Sequence, residues 1–367
     1  MAESVFRACR VRATSLKMSS RNLKEVPPDV CMLPHLSVLL LNNNHICTLP
    51  VELLRLPHLT ELNLGNNTFK EIPAVVSHLE RLKKLYLYSN HISTVSSEVI
   101  GPLKKLCVLN LNHNHIQRLP SEIKSLTKLH CLSLAHNKLE NIPAELGHLI
   151  ELTEVNFTNN CLSTLPQEIY HCKLLTKMYL ARNQLSSLPE VSDDTLLCLA
   201  CVCLVHVHFV ALNQGIRALT KLQVLDVAGN KLSMFPAEFH HLRLMELYCE
   251  ENKLVRCNPM PSVMGKEILS LKELVARFIL HEDRNKSSLV HKTLPYYPNL
   301  ITLLAKGSYC TLCLEPILFT WLECVHFVNL RKVMKMKKSL TVPVRALLCS
   351  YKCFSTAGHA YYGVAST

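Results

Sequence analysis

The sequence predicts an α/β chain: a right-handed solenoid with a parallel concave sheet, then a small α+β unit at the C-terminus. Three observations carry this. An asparagine recurs at Asn44, Asn67, Asn90, Asn114, Asn137, Asn160, Asn183 and Asn230, in steps of 23 or 24 residues with one step of 47. Each is preceded by the same apolar pattern, L-x-x-L-x-L-x-x-N-x-L-x-x-L-P. After Asn252 the pattern stops and the composition changes. A period in this range means stacked units, each too small to bury its apolar edge alone.

Residues 1–13 read as an N-terminal cap and 14–258 as the array, with ten or eleven repeats. Arg21 holds the asparagine position of an eroded first copy, and Asn252 closes a shortened last one. Within a repeat the L-x-L stretch alternates as a short strand should. In the copy ending at Asn137, Leu129, Leu132 and Leu134 point inward, while Cys131, Ser133 and Ala135 face the concave side. The asparagine lies inside, where it can satisfy backbone groups of the turn leaving the strand. Leu139, Ile142, Pro143, Leu146 and Leu149 supply the convex side.

The step of 47 contains Val191–Gln214, with an apolar run from Leu196 to Leu212 broken only by His206 and His208. That run is short of the roughly 20 residues a membrane helix needs. Two readings stay open. As a degenerate repeat, Cys198, Cys201 and Cys203 take the strand positions and His206 the asparagine position. As an insertion, its removal restores the ordinary step. A metal held by His206 and His208 with Cys201 or Cys203 is outweighed by a divergent strand.

The motif is that of a leucine-rich repeat. Its L-P-x-E-[IL] form, at Leu119–Ile123 and Leu165–Ile169, resembles the intracellular signalling members of that superfamily. Leu247-Tyr248-Cys249-Glu250, Trp321–Val328 and Leu348–Phe354 make the chain similar, nearly end to end, to one branch of the superfamily. Val191–Gln214 departs from that branch. The tail is also similar to that of the leucine-rich repeat-containing protein 58 family, which has a comparable helix pair followed by paired cysteines.

Residues 264–306 read as a helical segment. Glu267–Leu280 places Ile268, Leu271, Leu274, Val275 and Phe278 on one helix face. A polar stretch, His281–Ser288, and Leu294-Pro295 lead to a short apolar helix, Asn299–Ala305. The longer helix can cap the open solenoid end, as every repeat array requires. Ser270–Ile279 with Leu294-Pro295 also resembles a suppressor-of-cytokine-signalling box. The resemblance implies that Leu271, Leu274, Val275 and Ile279 dock on elongin C, with Leu294 and Pro295 in the segment that selects a cullin. Val275 departs from the small residue usual at its position.

Residues 307–367 form a cysteine-containing unit. Cys310-Thr311-Leu312-Cys313 and Cys349-Ser350-Tyr351-Lys352-Cys353 offer four thiolates as two close pairs. Such a set suits the tetrahedral, all-sulfur shell of a structural zinc ion. C-S-x-x-C opening a helix resembles the second half of a treble-clef finger, although Leu314 stands where a glycine often follows the knuckle. Strands are expected at Ile317–Val328 and Leu340–Leu348, with Cys324 in the core rather than on a metal.

The formal charge of +12 is spread out. Its densest cluster, Arg331, Lys332, Lys335, Lys337 and Lys338, lacks aromatic interleaving and reads as a solvated loop, so neither nucleic acid nor membrane is an expected partner. Most of the 17 cysteines fall at unrelated repeat positions, such as Cys47 and Cys161 in loops and Cys172 in a leucine slot. Residues 1–18 hold no continuous apolar segment. A reducing, cytoplasmic setting is expected. No G-x-S-x-G, Walker A, H-E-x-x-H or kinase signature is present, which excludes the common enzyme classes.

Function then falls to the concave face. Its outward positions include Lys84, Tyr86 and Tyr88, then Asn110 and Asn112, Glu154 and Asn156, Lys177 and Tyr179, and Glu246 and Tyr248. Tyrosine is enriched at interface hot spots. The expectation is a non-catalytic scaffold or regulator that binds a protein partner there. The alternative is the substrate receptor of an elongin–cullin ubiquitin ligase.

Overall fold

Leucines at every second position leave each repeat one short strand with a buried centre. A computed structural model describes residues 10–189, 198–212, 219–237, 242–255, 269–305, 307–334, 339–356 and 358–363, with 216, 239 and 336 besides. Of the residues singled out above, the first nine, 191–197, Gln214, Glu267, Ile268, Lys335, Lys337 and Lys338 lie outside the described residues. The chain divides into two compact units, Met1–Lys231 with Leu242–Asn252, and Leu232–His241 with Lys253–Thr367.

The first unit is a leucine-rich repeat solenoid. Its strands are β1 (Ser15–Lys17), β2 (Val38–Leu40), β3 (Glu61–Asn63), β4 (Lys84–Tyr86), β5 (Val108–Asn110) and β6 (Cys131–Ser133). They continue as β7 (Glu154–Asn156), β8 (Lys177–Tyr179), β9 (Cys201–Cys203), β10 (Val224–Asp226) and β11 (Glu246–Tyr248). All pair in chain order as one 11-stranded sheet, parallel throughout. Short 3-10 turns such as Ser121–Ser125, Ala144–His148 and Gln167–His171 return the chain on the convex side, each after a proline that starts it.

The repeated asparagines are buried and cross-link neighbouring turns. Asn137 donates from Nδ2 to the carbonyls of Leu134 in its own repeat (3.0 Å) and Leu111 in the one before (2.9 Å). Its Oδ1 accepts the N–H of Ile116 at 3.0 Å. Such a buried amide supplies partners to backbone groups that the turn takes out of water. The residue before each asparagine is left-handed: Asn43, Asn66, Ser89, His113, His136, Asn159 and Arg182 all have φ between 52 and 59°.

This register corrects the reading of the long step. His206 has φ 52°, so it is the counterpart of Arg182, and Val207 occupies the asparagine position. The step of 47 is therefore 24 residues followed by 23. Leu199, Val202, Leu204 and Val207 are buried, whereas Cys198, Cys201 and Cys203 are half-exposed. Residues 198–212 take the repeat conformation, with a strand that pairs with β8 and β10. A one-residue slip exchanges the two faces of a strand.

In the second unit, helix α1 (Leu271–Asp283) is followed by α2 (Leu289–Thr293), a 3-10 turn at Leu294–Tyr296 and α3 (Pro298–Leu304). A hairpin of β12 (Ser308–Tyr309) and β13 (Pro316–Ile317) precedes β14 (Leu322–Asn329), which pairs with β15 (Thr341–Leu348) and β16 (Tyr361–Gly363). Between β15 and β16 lies α4 (Tyr351–Ser355). Ile317, Cys324, Ala346 and Leu348 form one small core, and Ala276, Leu304 and Leu318 a second. Phe235 joins this unit by a parallel bridge to Val344. Among the described residues, no helix is long and apolar enough to cross a membrane.

Candidate functional site

On the concave sheet, register aligns the outward residues into rows. One row runs Asn63, Tyr86, Asn110, Ser133, Asn156, Tyr179, Cys203, Asp226 and Tyr248. Four strand spacings separate Tyr86 from Tyr179, about 19 Å at sheet spacing. A Cβ on Gly65 would meet the Tyr88 ring at 2.3 Å, so the ring lies across that glycine in the preceding repeat. Burial raises the hydroxyl pKa of both Tyr86 and Tyr179, as does the charge of nearby Glu61 or Glu154, which keeps each a neutral donor.

The other expected partner-binding residues divide by what already occupies them. Lys84 pairs with Glu61 at 3.2 Å and Lys177 with Glu154 at 3.3 Å across adjacent strands. Asn110 and Asn156 each accept the N–H two residues on, and Asn112 accepts from the Ser133 hydroxyl and the Ala135 N–H. Tyr248 donates its hydroxyl to Glu246 at 2.8 Å. The asparagines thus finish the strand ends, and Tyr86, Tyr88 and Tyr179 are large, half-buried rings on that face.

In the second unit the two cysteine pairs converge. Cys310 and Cys313 lie on the turn between β12 and β13; Cys349 directly follows β15, and Cys353 lies in α4, where the Ser350 hydroxyl caps it. The Cys349 sulfur lies 3.4 Å from that of Cys313 and 3.5 Å from that of Cys353, and all four sulfurs fall within 4.8 Å of one another. Zinc–sulfur bonds of 2.3 Å at tetrahedral angles would set the sulfurs about 3.8 Å apart. The donor set fits. Burial pushes the Cys310 thiol up, but the N–H groups of Cys313, Cys349 and Leu312 outweigh it and bring it to about 7. Leu314 has φ 61°, the left-handed conformation for which a glycine would have been expected. The Arg284 guanidinium holds its carbonyl at 2.6 Å. Cys324 is buried in the core, outside the cluster.

Helix α1 does not present its apolar face to a core. Leu271 is 77% exposed and Phe278 60%, and Leu274 and Val275 are exposed as well. The opposite face packs instead, with Ala276, Ile279 and Leu280 against Leu294, Leu300, Leu303 and Leu304. A groove of about 440 Å³ opens there, lined in part by Leu271, Val275, Ile279, Leu303 and Phe319. Of the residues implied in ligase docking, Leu271, Leu274 and Val275 are therefore exposed, whereas Ile279 and Leu294 pack inside; Pro295 is exposed in the 3-10 turn.

Sequence reasoning missed Glu273 and Arg277. Glu273 is wholly buried and accepts the N–H groups of Leu318 (3.1 Å) and Phe319 (2.6 Å). Burial raises its pKa, but the Arg277 guanidinium and those two N–H groups outweigh it and hold the carboxyl below its usual range. The available signals were an S-x-x-E start, where Ser270 accepts the Glu273 N–H, and the i,i+4 spacing to Arg277.

Comparison with known proteins agrees with the array. A leucine rich repeat family model matches residues 80–139 and 127–185, a two-copy form matches 57–100, and a single-repeat form 221–242. Curated proteins named Leucine-rich repeat-containing protein 69 are similar: 42% identical over 132 residues in Xenopus laevis and 38% over 133 in Mus musculus. Each alignment covers 36% of this chain and 38% of the relative, so the match spans under two fifths of those proteins. An LRR protein of Leptospira interrogans has a TM-score of 0.51 at 28% identity, over 69% of this chain and 82% of its own. The plant peptide hormone receptor RGFR1 in complex with RGF2 gives 0.55 at 28%, over 66% and 40%. These likenesses bear out the leucine-rich repeat reading and the role of such arrays as protein-interaction scaffolds.

Proposed function

We propose that this chain is a non-catalytic scaffold or regulator in cytoplasmic signalling whose concave face binds a protein partner through Tyr86, Tyr88 and Tyr179. The observation that carries the reading is the tyrosine row: half-buried rings on a sheet whose neighbouring polar groups are already paired. Rings held in place lose little entropy on binding, which is why tyrosines serve as anchors. A similar fold solved with a protein ligand supports the same use. Proximity labelling in cells, comparing the native chain with Tyr86→Ala/Tyr88→Ala, tests it. The double variant should lose neighbours that a convex-face variant keeps. An unchanged profile would reject the concave face.

A second reading has its own support. The exposed Leu271, Leu274, Val275 and Phe278, with α3 packed on the opposite face of their helix, suit docking rather than capping. In this reading the chain is the substrate receptor of an elongin–cullin ligase, and Leu271→Asp/Val275→Asp abolishes pull-down of elongin C while the array keeps its partner. Recovery of elongin C with that variant would end it. In both readings Cys310, Cys313, Cys349 and Cys353 hold one structural zinc ion. Four thiolates close its shell and leave no position for a reacting water.

A further inference from the structure

We propose that Arg277 makes the exposed helix α1 an extension of the metal centre, so that zinc occupancy sets whether the Leu271–Phe278 row is presented in an ordered form. This rests on the zinc reading given above and goes beyond it. Three groups of the unit meet at one guanidinium. Its Nε donates to Glu273 at 2.6 Å, one terminal nitrogen to the Cys349 carbonyl at 3.1 Å, and the other to the Thr320 carbonyl at 2.7 Å. The guanidinium is only 16% exposed, and Glu273 not at all.

Cys349 is touched from both sides. Its N–H faces the Cys310 sulfur, its own sulfur lies within the four-cysteine cluster, and its carbonyl accepts from Arg277. A shift of that residue on metal release therefore moves an acceptor of a buried guanidinium. The guanidinium in turn neutralises a carboxylate that clamps the Leu318 and Phe319 N–H groups to the helix. A buried charge cannot lose its partner cheaply, so the connection is stiff. Partners behind the ligands commonly orient a metal site. Here the same partner also carries the site's state outward, through hydrogen bonds rather than through proximity alone.

The apolar contacts of α1 cannot substitute for it. Only Ala276 among the helix's apolar residues is fully buried, and Ile279 and Leu280 are partly covered. The polar clamp is thus the main restraint near the N-terminal half of the helix, which carries Leu271, Leu274 and Val275. Lysine at position 277 would still reach Glu273, but a single ammonium cannot span two carbonyls and a carboxylate in the planar geometry of a guanidinium.

The test uses the full chain, zinc-loaded or stripped with a chelator. Zinc is counted by elemental analysis and backbone exchange followed by deuterium uptake. In the native protein, stripping should speed exchange across 271–283 at least tenfold and leave repeats 57–185 unchanged. In Arg277→Lys, zinc stoichiometry should stay at one while the helix exchanges at the same rate with and without metal. Glu273→Gln/Arg277→Met, which removes both charges, gives the same expectation should the single variant fold poorly. A native chain without zinc would sink the zinc reading and this inference together. A native chain that loses zinc while 271–283 keeps its protection would sink this inference alone. So would an Arg277→Lys helix that still follows the metal.

Discussion

The repeat array and the C-terminal unit solve the same problem, burial of backbone polar groups, in opposite ways. The array uses one device many times: an asparagine amide that bonds its own turn and the turn before it, at Asn44, Asn67, Asn90 and onward. The C-terminal unit uses several devices once each: four thiols, one buried carboxylate and one guanidinium. Repetition spreads the load, so that no one residue holds the array. Singular contacts concentrate it, so that loss of one should release a whole unit.

Metal removal should break the comparison most visibly. With Cys349→Ser/Cys353→Ser, zinc content should fall to zero and the unit around β14 and β15 should lose its cooperative transition. Structural zinc contributes on the order of 10 kcal/mol to folding. Calorimetry should still show the array melting at its native temperature; a parallel fall in both transitions would mean that the units do not fold independently. Asn137→Ala should have a smaller effect. It leaves the Ile116 N–H without its partner and takes one of two amide donors from the Leu111 and Leu134 carbonyls, which keep Asn114 and Asn160, a cost of roughly 2 kcal/mol in urea unfolding, on the scale of one unsatisfied buried group. The smallest effect runs the other way. Leu314→Gly should relieve the left-handed φ of 61° and raise the melting point of the zinc-bound unit, by about 1 kcal/mol of stability. A lowered melting point would show that the Leu314 side chain is needed for packing.

The same contrast explains what the sequence made legible. Where Asn137 or Asn160 marks the turn and polar residues separate the leucines, the period gives strand, face and register together. It failed by one residue at His206, because Leu199–Val205 is apolar at nearly every position and alternation has no contrast to fix its phase. The four cysteines were readable because ligand spacing is a local property. The orientation of α1 was not. Its apolar side, at Leu271, Leu274 and Phe278, is the exposed one, since a buried Glu273 satisfied by Arg277 and two N–H groups reverses the usual rule. Nothing in a helical periodicity records that the partners of a carboxylate lie 45 residues away.

The valine at position 207 has a mechanical consequence. Asn183 ties its turn to the one before through the carbonyls of Phe157 and Leu180, and Asn230 does the same through those of Leu204 and Val227. A valine side chain can make no such bond, so the joint between β8 and β9 lacks the stitch that every neighbouring joint possesses. Under tension or heat the array should part there first, splitting into a long block that ends at Asn183 and a short one that begins with Leu199. A solenoid of this kind flexes as two stiff rods with one soft joint, and Val207→Asn would weld them.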